Sequence, residues 1–158
     1  MNIQQKTQGS ASPSTNAPAN IEVDQIIGAW AVKAVFLSGY EGIDWGVWCF
    51  NQDHTLIMGS SFDTRGSGVW CQNSDGSFAI SLIEQIFINQ VWAMSVSCYA
   101  PQVVFSNEAN SFSLPVDNPI QGTMYAPNGY VIGQATIMLT ATRIQLRAAN
   151  TLPIQGAS

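Results

Sequence analysis

Charge is scarce in this chain. Of its 158 residues only 9% are Asp, Glu, Lys or Arg, against about a quarter in an average soluble domain. The five cations stand singly and the net charge is -5. A phosphate-backbone binder needs a basic stripe to displace counterions, so no nucleic acid is expected as a partner. Long hydrophobic runs are also missing. Ser, Gln, Asn or Gly interrupts every apolar stretch before it reaches the roughly 18 to 20 residues of a spanning helix, so no membrane is expected either. The first twenty residues carry Lys6 with no apolar stretch behind it, unlike a secretory signal, and the expected location is cytoplasmic.

Cysteine is sparse and odd in number. Cys49, Cys71 and Cys98 lack C-x-x-C spacing and sit in the apolar settings VWCF, VWCQ and VSCY. They read as buried, reduced thiols acting as small hydrophobes rather than as metal ligands or a disulfide. His54 is the only histidine. Beside Asp53 in a turn it reads as a solvated surface residue, and without a second histidine or clustered carboxylates a transition metal has too few ligands. A G-x-S-x-G elbow, a P-loop and a G-x-G-x-x-G turn are all missing. Acyl transfer, phosphoryl transfer and dinucleotide binding therefore lack their usual sequence support, and no cofactor and no metal is expected.

Apolar residues, by contrast, are plentiful, at 46% of the chain with 5 Trp and 7 Phe, enough for one core but not for two domains. Residues 1–20 are Gln, Ser, Asn, Pro, Ala and Thr and read as a disordered N-terminal arm; 21–150 form the domain and 151–158 a C-terminal tail. Within the domain, short runs of Val, Ile, Trp, Phe and Thr alternate with the turn clusters SGYEG, NQDHT, DTRGSG, NSDGS, SNEANS, PVDNP and APNGY. This spacing predicts an all-β, antiparallel domain, with Asp75-Gly76 and Asn128-Gly129 as the strongest hairpin turns. Helix is confined to a short turn near Asp24 to Ile27.

Alternation assigns an inner face to each strand. It selects Trp30, Val32, Ala34 and Phe36 in the first strand; Ile43, Trp45, Val47 and Cys49 in the second; Leu56, Met58 and Phe62 in the third. Later strands give Phe78, Ile80, Leu82, Glu84 and Ile86, then Trp92, Met94, Val96 and Cys98, then Val131, Ala135, Ile137, Leu139, Ala141 and Arg143. The opposite face is also apolar, with Trp48, Phe50, Trp70, Ile83, Phe87 and Met138. Two apolar faces predict both an enclosed interior and a homodimer.

Gly28-Ala29-Trp30 at the start of the first strand and Arg143 in TATRI on the last match the G-x-W signature and the closing arginine of lipocalin-like (calycin) proteins. The order GAWAV, FNQDHTL, SGVWCQNSDGSFAIS and PNGYVIGQATIMLTATRI resembles small bacterial lipocalin-like proteins over about Ile26 to Ile144. Asp53-His54-Thr55 departs from the family's Asp-Gly-Thr turn, and the match is poorest between Cys98 and Ile120. The resemblance implies an eight-stranded antiparallel up-and-down β-barrel in which Trp30 and Arg143 are a structural plug at one end. It also implies a small hydrophobic molecule as ligand. Barrels of this kind include cofactor-independent cyclases of natural-product biosynthesis, which fold a linear polyene or polyketide precursor for a Diels-Alder or other ring closure. They also include non-catalytic carriers of hydrophobic metabolites. Holding two reacting ends in register needs few special side chains, so either function fits a chain without motifs.

Glu84 shares its strand face with four apolar residues, where an ionised carboxylate must find a donor or take up a proton, and is the first catalytic candidate. Tyr99 and Tyr125 offer phenol hydrogen bonds, Tyr99 to the reaction and Tyr125 to the ligand, although alternation puts both on the outer face. Tyr40 at the first hairpin, with Trp45, Met58, Trp92 and Met94 inside, completes the expected pocket. For the two tryptophans, lining a pocket and filling the core are equally open readings.

Overall fold

The computed structural model describes residues 22–39, 42–61, 63–106 and 108–145; the N-terminal arm, the C-terminal tail, Tyr40 and Phe62 lie outside them. A 3-10 turn, Val23–Gln25, precedes nine strands: β1 (Gly28–Ser38), β2 (Gly42–Phe50), β3 (Thr55–Ser60), β4 (Thr64–Gln72), β5 (Phe78–Ile88), β6 (Val91–Phe105), β7 (Ser111–Ser113), β8 (Ile120–Tyr125) and β9 (Val131–Arg143). Every pairing is antiparallel, each strand from β1 to β6 pairs with its successor, and β9 returns to pair with β1. The sheet closes, which leaves no free edge to recruit another chain. The ninth strand arises because β7 and β8 share the place between β6 and β9: β7 pairs with Val104 and Phe105, β8 with Ser95 to Tyr99. The barrel thus has eight positions around its wall. No described helix is long and apolar enough to cross a membrane.

Three tight turns share one hydrogen-bond pattern. Asn51 with Thr55, Asn73 with Ser77 and Ala126 with Tyr130 each close a five-residue loop, whose fourth residue has positive φ: His54 at 65°, Gly76 at 83° and Gly129 at 85°. Glycine meets that requirement without cost, whereas a side chain there is strained. At His54 the ring is instead packed on Trp70, 4.6 Å between centroids. Asp53 and Asp75 occupy equivalent places, each accepting from the backbone N–H and the hydroxyl of the residue two further on. Those bonds hold both carboxyls below the usual carboxylate range.

The inner faces of β1, β3 and β5 are as alternation assigns them, with Trp30, Val32, Leu56, Met58, Phe78, Ile80 and Leu82 buried. In β2 the assignment is reversed: Asp44, Trp48 and Phe50 are buried, while Ile43, Trp45 and Val47 face outward. Pairing enforces this, because Trp30 lies opposite Trp48 and Ala34 opposite Asp44, and residues directly opposite share a face. Trp70, expected outside, is likewise buried. Two bulges correct the far ends of other strands. The register slips between Ile86 and Phe87 against β6, and between Met124 and Tyr125 against β9. Beyond these slips Trp92 and Val131 are exposed.

Candidate functional site

The two ends of the barrel differ. The end bearing the β2–β3 and β4–β5 turns is filled by aromatic rings. Trp30 lies 5.4 Å from Phe105 and 5.1 Å from Phe112, Phe78 lies 5.1 Å from Phe105, and Phe50 bridges Phe112 and Trp70 at 6.0 and 6.2 Å. Arg143 caps this cluster with its guanidinium 4.3 Å from the Trp30 ring centroid. It donates from Nε to the Ala109 carbonyl at 3.2 Å, from Nη1 to that of Ile27 at 3.0 Å, and from Nη2 to that of Gln25. Gly28 makes room, since a Cβ on it would stand 3.1 Å from Arg143 Nη1. Trp30 itself donates to the Ile26 carbonyl at 2.9 Å. This end is a plug.

Toward the opposite end, between the β1–β2, β3–β4, β5–β6 and β8–β9 connections, the interior opens into a chamber of about 370 Å³. Phe36, Ile86, Phe87, Met94, Met124 and Ile132 supply apolar wall, and Asp44, Thr64 and Glu84 supply the polar groups. A deeper chamber of about 30 Å³ continues past Phe36, Asp44 and Glu84 to Trp48, Met58, Leu82 and Cys98. The two carboxylates therefore stand where the chambers meet, projected from strands separated by β3 and β4. Both are more than nine-tenths buried, Asp44 at 6% exposure and Glu84 at 8%. Ser61 donates its hydroxyl to Asp44 Oδ1 at 2.7 Å, and the Ser60 and Thr64 hydroxyls are 2.5 Å apart.

Burial pushes the Glu84 carboxyl up from its ordinary value, the Asp44 charge adds to that push, and a hydrogen bond from the Thr64 side chain opposes it. Burial, with Glu84 contributing, likewise pushes the Cys98 thiol up to about 12, so Cys98 packs as a neutral group. That direction favours the neutral form of the Glu84 carboxyl, which faces the chamber.

Of the residues expected from sequence to form the pocket, Glu84 lines both chambers, Met94 the outer and Met58 the inner. Trp45 does not belong to it. It is 57% exposed on the outer wall, stacked near Lys33 Nζ at 5.5 Å, and lines a shallow external groove of about 530 Å³ with Val104, Ser113 and Thr140. That groove is larger than the chamber but open to solvent, and among the described residues Lys33 is the only charged group lining it. Trp92 is 39% exposed and donates to the Met94 carbonyl at 3.0 Å, outside the chamber. Tyr99 is 53% exposed and sits outside between Ser81 and Gln121. Tyr125, at the β9 bulge, is not among the lining residues.

Sequence reasoning missed Asp44, Thr64, Phe87 and Ile132. Asp44 had a usable signal, the pairing of the first hairpin once Trp30 was placed inside. Phe87 and Ile132 had none: Ile132 is the extra residue of the β9 bulge, and Phe87 lies on β5 beside the bulge at Ala93 of β6. Comparison with protein-family models, with curated proteins and with solved structures gives no match to this chain.

Proposed function

We propose that the barrel binds a small, largely apolar molecule in the chamber at its open end. The observation that carries this reading is the combination of an apolar wall with two buried carboxylates at its floor. The volume falls within the range of small-molecule sites, and a few convergent polar groups in an apolar cleft is the usual composition of such sites. The plug at Trp30 and Arg143, the feature on which the lipocalin-like resemblance rests, supports a barrel closed at one end and accessible at the other. Titration with Nile red tests the reading. Saturable enhancement that is abolished by Met94→Trp supports it, and enhancement unaffected by filling the chamber sinks it.

A second reading, cofactor-independent ring closure of a linear hydrophobic precursor, is favoured by one observation: the Glu84 carboxyl is pushed toward its protonated form beside the space where a substrate carbonyl would lie. A positioned acid polarising a carbonyl, added to enforced proximity, is enough for such chemistry. Incubation with a linear polyene or polyketide precursor decides it, because tight binding with no new product leaves only the carrier. We place the protein in the cytoplasm, a reading supported by the three free thiols of Cys49, Cys71 and Cys98.

A further inference from the structure

We infer that the chamber selects a hydrophobic amine, bound as its ammonium ion between the Asp44 and Glu84 carboxylates with its apolar body against Phe36, Ile86, Met94 and Met124. This rests on the proposed binding function and names its ligand class.

The starting point is a charge imbalance. Two carboxylates more than nine-tenths buried face one cavity, and among the described residues no Lys, Arg or His lines either chamber. The three cations among the described residues are engaged elsewhere. Lys33 lies over Trp45 on the outer wall, Arg65 over the Phe87 ring at 5.7 Å beside an external hollow, and Arg143 over Trp30 at the plug. Among the described residues, donors to the pair include two hydroxyls, that of Ser61 to Asp44 and that of Thr64 to Glu84. Hydroxyls satisfy individual lone pairs but supply no positive charge; without a cation the pair relieves its repulsion by pushing Glu84 toward its protonated form, and a bound ammonium would let both acids ionise.

An ammonium group meets this deficit in charge and in hydrogen-bond donors. It carries three donors and no acceptor, so it can reach both carboxylates and still satisfy a hydroxyl such as that of Thr64. A carboxylate or phosphate ligand would add like charge to a site already anionic. A neutral carbonyl would use one protonated acid and leave the other as it was. The walls favour an apolar body: Met94 and Met124 adapt to shape, and Phe36 and Ile86 add apolar surface.

The test uses the full chain and three probes with the same body: 4-phenylbutylamine, 4-phenylbutan-1-ol and 4-phenylbutanoate, titrated by calorimetry near neutral pH. The amine is expected to bind about ten- to a hundredfold more tightly than the alcohol, the worth of one or more charge-assisted hydrogen bonds, and the acid most weakly. Asp44→Asn with Glu84→Gln should erase the amine's advantage, so that amine and alcohol bind the variant with the same affinity. Equal binding of amine and alcohol to the parent chain overturns the inference but leaves the apolar pocket standing. Failure of all three probes, together with failure of Nile red to bind, removes both.

Discussion

The guanidinium of Arg143 stacks 4.3 Å from the Trp30 ring centroid while donating to three carbonyls on two separate stretches of chain, Gln25 and Ile27 on one and Ala109 on the other. One side chain on the last strand thus ties down the segment leading into the first strand and the loop between β6 and β7. The arrangement closes one end of the barrel by covalently distant contacts, and it leaves the acids and the cavity at the other. Structure and chemistry are separated along the barrel axis.

Arg143→Met should therefore lower stability without altering ligand binding. Three carbonyls lose their donor and the indole loses a cation, for a combined cost of about 2 to 4 kcal/mol. Arg143→Lys keeps a charge but not the planar fork, so it should recover only a minor part. Thermal melts read the loss, and Nile red affinity measured well below the melting temperature should match that of the parent.

Glu84→Gln should stabilise the chain at neutral pH. The folded-state pKa of Glu84 is raised above its ordinary value of 4.5, so its contribution favours folding below the unfolded value and is lost as pH rises through the folded one. A glutamine carries no charge at any pH and escapes that loss. Each tenfold change in proton affinity is worth about 1.4 kcal/mol. The melting temperature of the variant should exceed that of the parent near pH 7, and the gap should close below about pH 4. A gap independent of pH would show that Glu84 is not the group responsible. The groups that influence it are Thr64 and Cys98 on the adjacent strands and Asp44 across the interior on β2; with Cys98 pushed up to about 12, its thiol does not ionise in this window.

The strand order and the β1 and β5 faces were legible because their alternation is nearly clean. In β1, Lys33 marks the outer side; in β5 the apolar residues keep step from Phe78 to Ile86, and Glu84 was visible as the one charge among them. In β2 both faces are apolar, and Asp44 made the true inner face look like the solvated one. Local pattern failed there because a polar group had been placed inside. Asp44 is also half of the candidate site, so the residue that disguises the inner face of β2 is one of the two acids lining the chamber. Phe87 and Ile132 were beyond reach for a different reason. A bulge adds one residue to one strand, and no feature of composition marks where that happens.

Those corrections make a paired test. Trp45→Phe and Trp92→Phe alter residues outside the chamber, so Nile red and 4-phenylbutylamine should bind each variant as they bind the parent. Met94→Trp projects a larger side chain into a space of about 370 Å³ and should weaken both probes at least tenfold, roughly the effect of removing a well-packed contact surface. Loss of binding in Trp45→Phe with retention in Met94→Trp would move the site to the external groove.

Scarcity of charge leaves one more consequence on the outer wall. Ile57 lies on β3 between Cys49 and Ser67, with Val47, Val69 and Ile83 close by on the same face, and these aliphatic residues are exposed. The closed sheet offers no edge for strand addition, so any self-association must bury a face. A standard interface buries about 800 Å² on each partner, and depletion of charge is what distinguishes the core of such a patch from ordinary surface. The expected homodimer should therefore use this wall. Ile57→Lys would place a charge at its centre, and sedimentation at micromolar concentration should then show a monomer with the parent's melting temperature. A parent chain that sediments as a monomer at the same concentration overturns the expectation, and an Ile57→Lys dimer would place the contact on a different face.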